Sequence, residues 1–130
     1  MTRGLRNNNP GNIRHSSTKW QGEVEGSDTS FKTFLSMTWG YRAMFKTLRT
    51  YKDKHNRKTL REMISRWAPP CENDTETYIK MVSNRAKVFS EIELDTYNKN
   101  QMCRIVEAMS YMENGVAGNF EEIYKGWDLI

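Results

Sequence analysis

Histidine, cysteine and proline are scarce in this chain of 130 residues, which contains two, two and three of them respectively. His15 and His55 are isolated and have no neighbours at the spacing of metal ligands, so the sequence predicts no metal site. Cys71 and Cys103 lie far apart and outside any CxxC pattern. They are interpreted either as two free or buried thiols or as one internal disulfide.

Long apolar runs and recognisable catalytic groupings of serine, cysteine or histidine are also missing. No segment approaches the length needed to cross a bilayer, so no membrane-spanning segment is expected. Residues 1–12 are polar where the apolar region of a signal peptide would lie, so no signal peptide is expected. No glycine-rich phosphate loop follows a strand, and no serine, cysteine or histidine constellation is present, so the sequence implies no cofactor.

The residues that are present predict a helix-rich protein with a polar surface. Hydrophobic residues make up only 37% of the chain, but four tryptophans, six tyrosines, five phenylalanines and eight methionines can fill a core. The length predicts one domain, residues 1–130. The net charge of +4 suits an anionic partner, with nucleic acid, a membrane surface and a bacterial cell wall as alternatives.

The first 36 residues differ from the rest of the chain. The segment RNNNPGNIR, Arg6–Arg14, combines Asn, Pro and Gly and predicts turns. Two short strands are predicted next, Trp20–Glu25 and Thr29–Phe34, around a turn at residues 26–28. Residues 1–36 are therefore predicted to form a turn and hairpin lobe, and residues 37–130 a helical bundle.

Caps and apolar spacing divide the bundle into helices. Thr59 and Glu62 form a capping box, and a second helix starts at Asn73 or Asp74. A later helix ends at Gly115, since glycine readily adopts the left-handed conformation that closes helices. Aromatic residues at helical spacing are predicted to be core residues, namely Trp67, Tyr78 and Trp127.

Glu113 is the most unusual residue of this pattern. It lies in the last turn of the helix that ends at Gly115, where unpaired carbonyls disfavour a negative charge. Its apolar neighbours add desolvation, so the protonated form is favoured, as a general acid requires. The alternative is that Glu113 points to water at a small cost in stability.

Glu113, followed by a small residue and Gly115, resembles the catalytic corner of the lysozyme-like superfamily, which includes lytic transglycosylases and goose-type lysozymes. The segment NNNPGNIRHSSTKWQGEVEGSDTSFKTF, followed by GYRAMFKTLRTY, is similar to the core of bacterial glucosaminidases of the flagellar type. The whole chain, with RGLRNNNPGNIR and RWAPPCENDTETYI, resembles small prophage- and phage-encoded virion-associated proteins.

The resemblance implies a mainly α (α+β) fold, a lysozyme-like bundle of about five helices with a small N-terminal β-hairpin lobe. Lysozyme-like enzymes place the catalytic helix before the Asn-rich turn, whereas only six residues precede Asn7 here. Either the catalytic helix is missing and the protein binds without cutting, or the order is circularly permuted. In the permuted case the helix that carries Glu113 packs beside Asn7–Arg14.

The resemblance also implies roles for individual residues. Glu113 would be the general acid, and Glu23 or Asp28 would supply a second carboxylate. For Asp28 the alternative is a turn residue, and for Glu23 it is the solvent face of a strand. Asn9 and Asn12 either satisfy turn backbone or line a sugar site. The expected substrate-binding residues are Asn9, Asn12, Arg14, Trp20 and Tyr111.

The function that follows is binding of bacterial peptidoglycan and cleavage of its β-1,4 glycan bond. The protein would be made in the bacterial cytoplasm and act at the cell wall or travel in a virion, with no membrane as partner. One alternative is a non-catalytic virion or wall-binding protein. The other is a small basic nucleic-acid-binding protein that uses the run Lys52–Arg61, although Asp53 interrupts that run. The oligomeric state stays open.

Overall fold

A computed structural model describes all residues, 1–130, and shows six helices and one two-stranded sheet. The mainly helical class with a small N-terminal hairpin is confirmed. One helix more than predicted is present. It is a four-residue helix at the start of the chain, which the apolar pattern did not predict. The elements are α1 (Arg3–Arg6), β1 (Glu23–Val24), β2 (Thr33–Phe34), α2 (Met37–His55), α3 (Leu60–Trp67), α4 (Thr75–Ala86), α5 (Lys99–Asn114) and α6 (Phe120–Asp128).

The hairpin is shorter than predicted. Only Glu23 pairs with Phe34 and Val24 with Thr33, in antiparallel register, so the predicted strand bounds are wrong. The chain before β1 makes a turn, and the chain before β2 pairs elsewhere, since Phe31 forms an isolated bridge with residue 14 of the Asn-rich segment. The hairpin is thereby joined to that segment.

Local capping places the helices where the sequence predicts them. Thr59 accepts a hydrogen bond from the Glu62 amide, and the Glu62 carboxylate accepts one from the Thr59 amide, so the capping box is confirmed. Asp74 caps α4 through the amide of residue 77. Gly115 closes α5 with a φ of 72°, in the left-handed region that favours glycine.

One core of 21 buried residues holds the bundle together. Helix α2 packs against α6, and α4 packs against α5. Trp127 and Trp67, predicted as core residues, are only partly buried against it. The predicted helix faces supply most of the core, including Tyr41, Met44, Phe45, Leu48, Leu60, Met63, Ile64, Ile79, Val82, Met102, Ile105, Val106, Met109 and Ile123.

The two cysteines are free thiols, so the disulfide alternative is wrong. Cys71 is exposed after α3, whereas Cys103 is buried in α5. Burial raises the pKa of the Cys103 thiol to about 11. No helix of this chain combines the length and the apolar character that crossing a membrane demands.

Candidate active site

The C-terminal end of α5 opens into a cavity of about 350 Å³ between the hairpin lobe and the bundle. We call it the Glu113 cavity. Its aromatic side chains come from three separate segments, and its polar side chains are mainly amides and carboxylates. Its lining residues are Gly11, Asn12, Ile13, Arg14, Phe31, Thr47, Tyr51, Trp67, Ala68, Glu72, Asn73 and Glu113.

Three neutral donors hold the Glu113 carboxylate. Asn12 Nδ2 donates to Oε1 at 2.9 Å. The Tyr78 hydroxyl donates to Oε2 at 2.8 Å, and Trp67 Nε1 donates to the same oxygen at 3.4 Å. These donors come from the Asn-rich segment, α4 and α3, so the carboxylate joins three parts of the chain.

Glu113 has no cationic partner. None of the eight ion pairs of the chain includes it. The pKa of Tyr78 is raised well above its usual value, first by burial and then by the negative charge of Glu113. Tyr78 therefore keeps its proton and acts as a hydrogen-bond donor to the carboxylate at ordinary pH.

The Asn-rich segment owes its shape to side chains that bond to backbone. Asn8 and Asn12 have φ of 51° and 50°, in the left-handed region that Asn tolerates better than most residues. Asn114, next to Glu113, donates to the Pro10 carbonyl at 2.9 Å. Gly11 lies so close to the Trp67 ring that a Cβ atom there would be 2.7 Å from it.

These contacts place the end of α5 beside Asn7–Arg14. The hydrogen bonds from Asn12 to Glu113 and from Asn114 to the Pro10 carbonyl show this proximity. Residues more than one hundred positions apart thus meet at one cavity.

Arg14 lies at the rim of the Glu113 cavity, opposite Glu72. Its guanidinium is 3.9 Å from Glu72 Oε2 and 5.3 Å from the centre of the Phe31 ring. Both charged side chains are more than half exposed, with 65% of Arg14 and 56% of Glu72 open to solvent. The pair spans two segments that line the cavity.

Asn9 satisfies turn backbone, one of the two alternatives left by the sequence. It is fully buried, its amide nitrogen donates to the carbonyls of Ile13 and Lys32, and its oxygen accepts from the Ile13 amide. Asn12, in contrast, reaches Glu113 in the cavity.

Glu23 and Trp20 lie elsewhere, at a separate cavity beside the hairpin. The Glu23 carboxylate pairs with Lys32, whose ammonium is 3.0 Å from Oε1 and whose side chain is 1% exposed. Lys32 also donates to the Thr18 carbonyl at 2.9 Å. This buried ion pair explains the carboxylate at this position, and the structure does not bring Glu23 to Glu113.

Asp28 supports the turn between the strands. Its carboxylate accepts two hydrogen bonds from the Arg3 guanidinium, at 2.6 and 2.8 Å, and one from the Asn7 side chain. It also accepts one from each of the backbone amides of Ser30 and Phe31. The Arg3 and Asn7 side chains hold the pKa of Asp28 well below its usual range. Asp28 does not line the Glu113 cavity, so the structure favours the turn alternative.

Tyr111 also lies outside the lining of the Glu113 cavity. The Arg85 guanidinium is 3.8 Å from the centre of its ring. Arg85 at the same time bonds both oxygens of the buried Glu107, at 2.8 and 3.0 Å. Tyr111 therefore packs on an ion pair between α4 and α5.

Of the twelve residues that line the cavity, the sequence predicts three as site residues: Asn12, Arg14 and Glu113. Helical spacing predicts Trp67, which lines the cavity, and Tyr78, which supports Glu113, as core residues. The remaining lining residues, including Phe31, Tyr51 and Asn73, carry no functional signal in the sequence. A usable signal was present for Trp67, since it is the last residue of a helix stopped by Pro69 and Pro70, where a side chain can leave the core.

No protein-family model matches this chain. The chain is 40% identical over 131 residues to Protein P5 of Pseudoalteromonas phage PM2. The match covers 97% of this chain and 80% of Protein P5, so the resemblance to a phage-encoded protein is confirmed. Over that extent, the identity is sufficient to conclude that this chain belongs to the family of Protein P5 of phage PM2.

Proposed function

We propose that this protein binds peptidoglycan and cleaves its β-1,4 glycan bond, with Glu113 as the general acid. The observation that carries the proposal is the Glu113 carboxylate itself. It lines an open cavity, receives three hydrogen bonds from neutral donors and has no cationic partner. Neutral donors position a carboxyl group for proton transfer without holding it in an ion pair.

The surroundings of Glu113 at the end of α5 hold its carboxyl group in place. Glu113 is partly buried, and the hydrogen bonds that Asn12 and Tyr78 donate reach one oxygen each. A general acid has to be held within hydrogen-bond reach of the atom that it protonates, and these contacts supply that positioning.

The walls of the Glu113 cavity suit sugar rings. Phe31, Tyr51 and Trp67 supply aromatic surface, and the amides of Asn12 and Asn73 supply hydrogen-bonding groups. The net charge of +4 favours association with the anionic cell wall. Arg14 contributes a positive charge directly at the rim.

The proposed reaction needs only one carboxyl group from the protein. Glu113 gives its proton to the glycosidic oxygen as the bond between that oxygen and C1 breaks. Water or the C6 hydroxyl of the same sugar then bonds to C1, and its proton returns to Glu113. Glu23 and Asp28 have no part in this scheme, because both lie outside the cavity.

Mass spectrometry of purified peptidoglycan tests the proposal. Incubation with the protein should release soluble muropeptides, either hydrated or with an anhydro ring, which separates hydrolysis from transfer to the C6 hydroxyl. Glu113→Gln should release none while still sedimenting with the insoluble wall. Peptidoglycan that stays intact with the unaltered protein would overturn the enzymatic proposal.

The second candidate is a non-catalytic virion or wall-binding protein. The hydrogen bonds that Asn12, Trp67 and Tyr78 donate to Glu113 favour it, since they join three segments to α5 and account for the glutamate by architecture alone. Membership of a phage protein family agrees with a virion location. Binding to intact wall without any release of muropeptides would select this candidate.

No specific observation favours the nucleic-acid alternative. Part of the basic run Lys52–Arg61 is engaged within the chain: Lys52 donates to the Leu94 carbonyl, and Arg61 pairs with Glu76 and Glu91. Those cations are less available to phosphates than the sequence suggested.

A further inference from the structure

We propose that Arg14 is a carboxylate-binding residue of the Glu113 cavity, which makes the protein prefer glycans with acidic sugars to neutral chitin-type glycans. The inference rests on the proposed glycan-binding function and specifies its substrate class. Each muramic acid of peptidoglycan has a lactyl carboxyl group, which is a free carboxylate in peptide-free strands and an amide where a stem peptide is attached, whereas polymers of N-acetylglucosamine have no such group.

Arg14 is the only cation among the residues that line the cavity. The other two charged lining residues are Glu72 and Glu113, and Glu113 is already held by neutral donors. A ligand carboxylate that enters the cavity therefore has one cationic partner available, and that partner is an arginine, whose planar fork matches carboxylate geometry.

The backbone of Arg14 is fixed. Residue 14 forms a β-bridge with Phe31, the Lys32 amide donates to the Ile13 carbonyl at 2.9 Å, and the His15 amide donates to the Ser30 carbonyl at 3.0 Å. The side chain extends from this ladder over the Phe31 ring. Only the side chain has to be ordered when a ligand binds, which limits the entropic cost.

The existing partner of Arg14 is easily displaced. The contact to Glu72 is 3.9 Å long, includes no hydrogen bond, and joins two side chains that are more than half exposed. Exposed pairs of this kind stabilise a protein by about 0–1 kcal/mol. A ligand carboxylate can take the place of Glu72 and form two hydrogen bonds that Glu72 does not make.

Binding measurements with two tetrasaccharides test the inference. One probe is N-acetylglucosamine tetrasaccharide, which is neutral, and the other alternates N-acetylglucosamine with peptide-free N-acetylmuramic acid. Affinities are measured by NMR titration at low temperature, and the recovered ligand is checked for cleavage by mass spectrometry. The protein should bind the acidic probe about tenfold more tightly than the neutral one, the size of one charge-assisted contact.

Three variants test whether the preference for the acidic probe depends on Arg14. Arg14→Gln should lose the tenfold preference and keep its affinity for the neutral probe. Glu72→Gln should increase the affinity for the acidic probe, because the competing carboxylate has been removed. Arg6→Gln is the matched control: Arg6 is exposed, has no ion pair and does not line the cavity, so the preference should remain.

Different experimental results would overturn the Arg14 inference and the proposed function. Equal affinity for both probes, or a preference that Arg14→Gln retains, overturns the carboxylate-binding role while leaving glycan binding intact. A preference that Arg6→Gln reduces as much as Arg14→Gln does overturns it as well, because net charge then suffices. Absence of binding to either probe overturns the proposed function, and the Arg14 inference with it.

Discussion

Asn12 and Glu113 are 101 positions apart in the chain, and Asn12 Nδ2 donates a hydrogen bond of 2.9 Å to Glu113 Oε1. The oxygen of the same amide, Oδ1, is buried and has no partner. The side chain therefore has one hydrogen-bond acceptor without a partner beside a donor that is already bonded. If the amide rotated by half a turn, Oδ1 would face Glu113 and could accept a hydrogen bond from a protonated or amidated side chain.

This geometry predicts different effects on stability for two substitutions of Glu113. Glu113→Gln should abolish glycan cleavage, because an amide cannot deliver a proton, and should leave the free energy of unfolding nearly unchanged, since Asn12 can turn to accept from the new amide. Glu113→Ala should lower the free energy of unfolding by about 1–3 kcal/mol, because the buried Tyr78 hydroxyl loses its acceptor. Denaturant unfolding and muropeptide release are the measurements. An active Glu113→Gln protein would assign Glu113 to architecture alone.

Tyr78 positions Glu113 through its hydroxyl. Tyr78→Phe removes the 2.8 Å bond to Oε2 and keeps the aromatic ring. The rate of muropeptide release at saturating peptidoglycan, kcat, should fall about tenfold while KM changes little, because the carboxyl group is less well positioned for proton transfer. The free energy of unfolding should fall by about 1 kcal/mol. An unchanged kcat in a less stable protein would show that Tyr78 affects only packing.

The capping box of α3 offers a comparison with the start of α2. Thr59→Ala should lower the free energy of unfolding by about 1 kcal/mol, because the Glu62 amide loses its acceptor. Ser36→Ala is the control, since Ser36 occupies the N-cap of α2 without a side-chain capping bond and should change stability little. Urea unfolding of both variants measures the difference. Equal losses would mean that the Thr59 hydroxyl is not the source of the effect.

Asp28 should make the hairpin lobe sensitive to acid. Its pKa in the folded protein lies below the value of about 3.9 for an unfolded chain, so its stabilising effect is complete above that pH. The effect is lost as the pH falls further. Asp28→Asn should therefore be less stable at neutral pH and lose less stability than the unaltered protein between about pH 5 and about pH 2.

Unfolding can be followed by tryptophan fluorescence, to which Trp20 in the lobe contributes. Glu25→Gln is the control, because Glu25 is exposed and has no ion pair, and it should keep the original pH dependence. If Asp28→Asn also keeps that dependence, the acid sensitivity arises from another carboxylate.

The two thiols should differ in reactivity. Cys71 is exposed, whereas Cys103 is buried and has a pKa of about 11, so little thiolate forms near neutral pH. Iodoacetamide at about pH 8 should add one label to the native protein and two to the unfolded protein. Intact-mass spectrometry counts the labels. Rapid double labelling of the native protein would show that α5 opens readily.

Local features of this protein could be predicted from its sequence because their causes are local. The capping box at Thr59, the end of α5 at Gly115 and the apolar faces of the helices each depend on residues within one or two turns. The strand bounds could not be predicted in this way. Phe31 pairs with residue 14 rather than within the hairpin, and that choice depends on the Asn-rich segment.

The sequence by itself determined that Glu113 ends a helix in an electrostatically unfavourable place, since that follows from the spacing of apolar residues and Gly115. Only the tertiary structure decided which carboxylates lie together. Glu23 and Asp28 are drawn to Lys32 and Arg3, because a cation within bonding distance outweighs any pattern along the strand. The donors to Glu113 come from three distant segments, and a sequence pattern has no period that relates Asn12, Trp67 and Tyr78 to position 113.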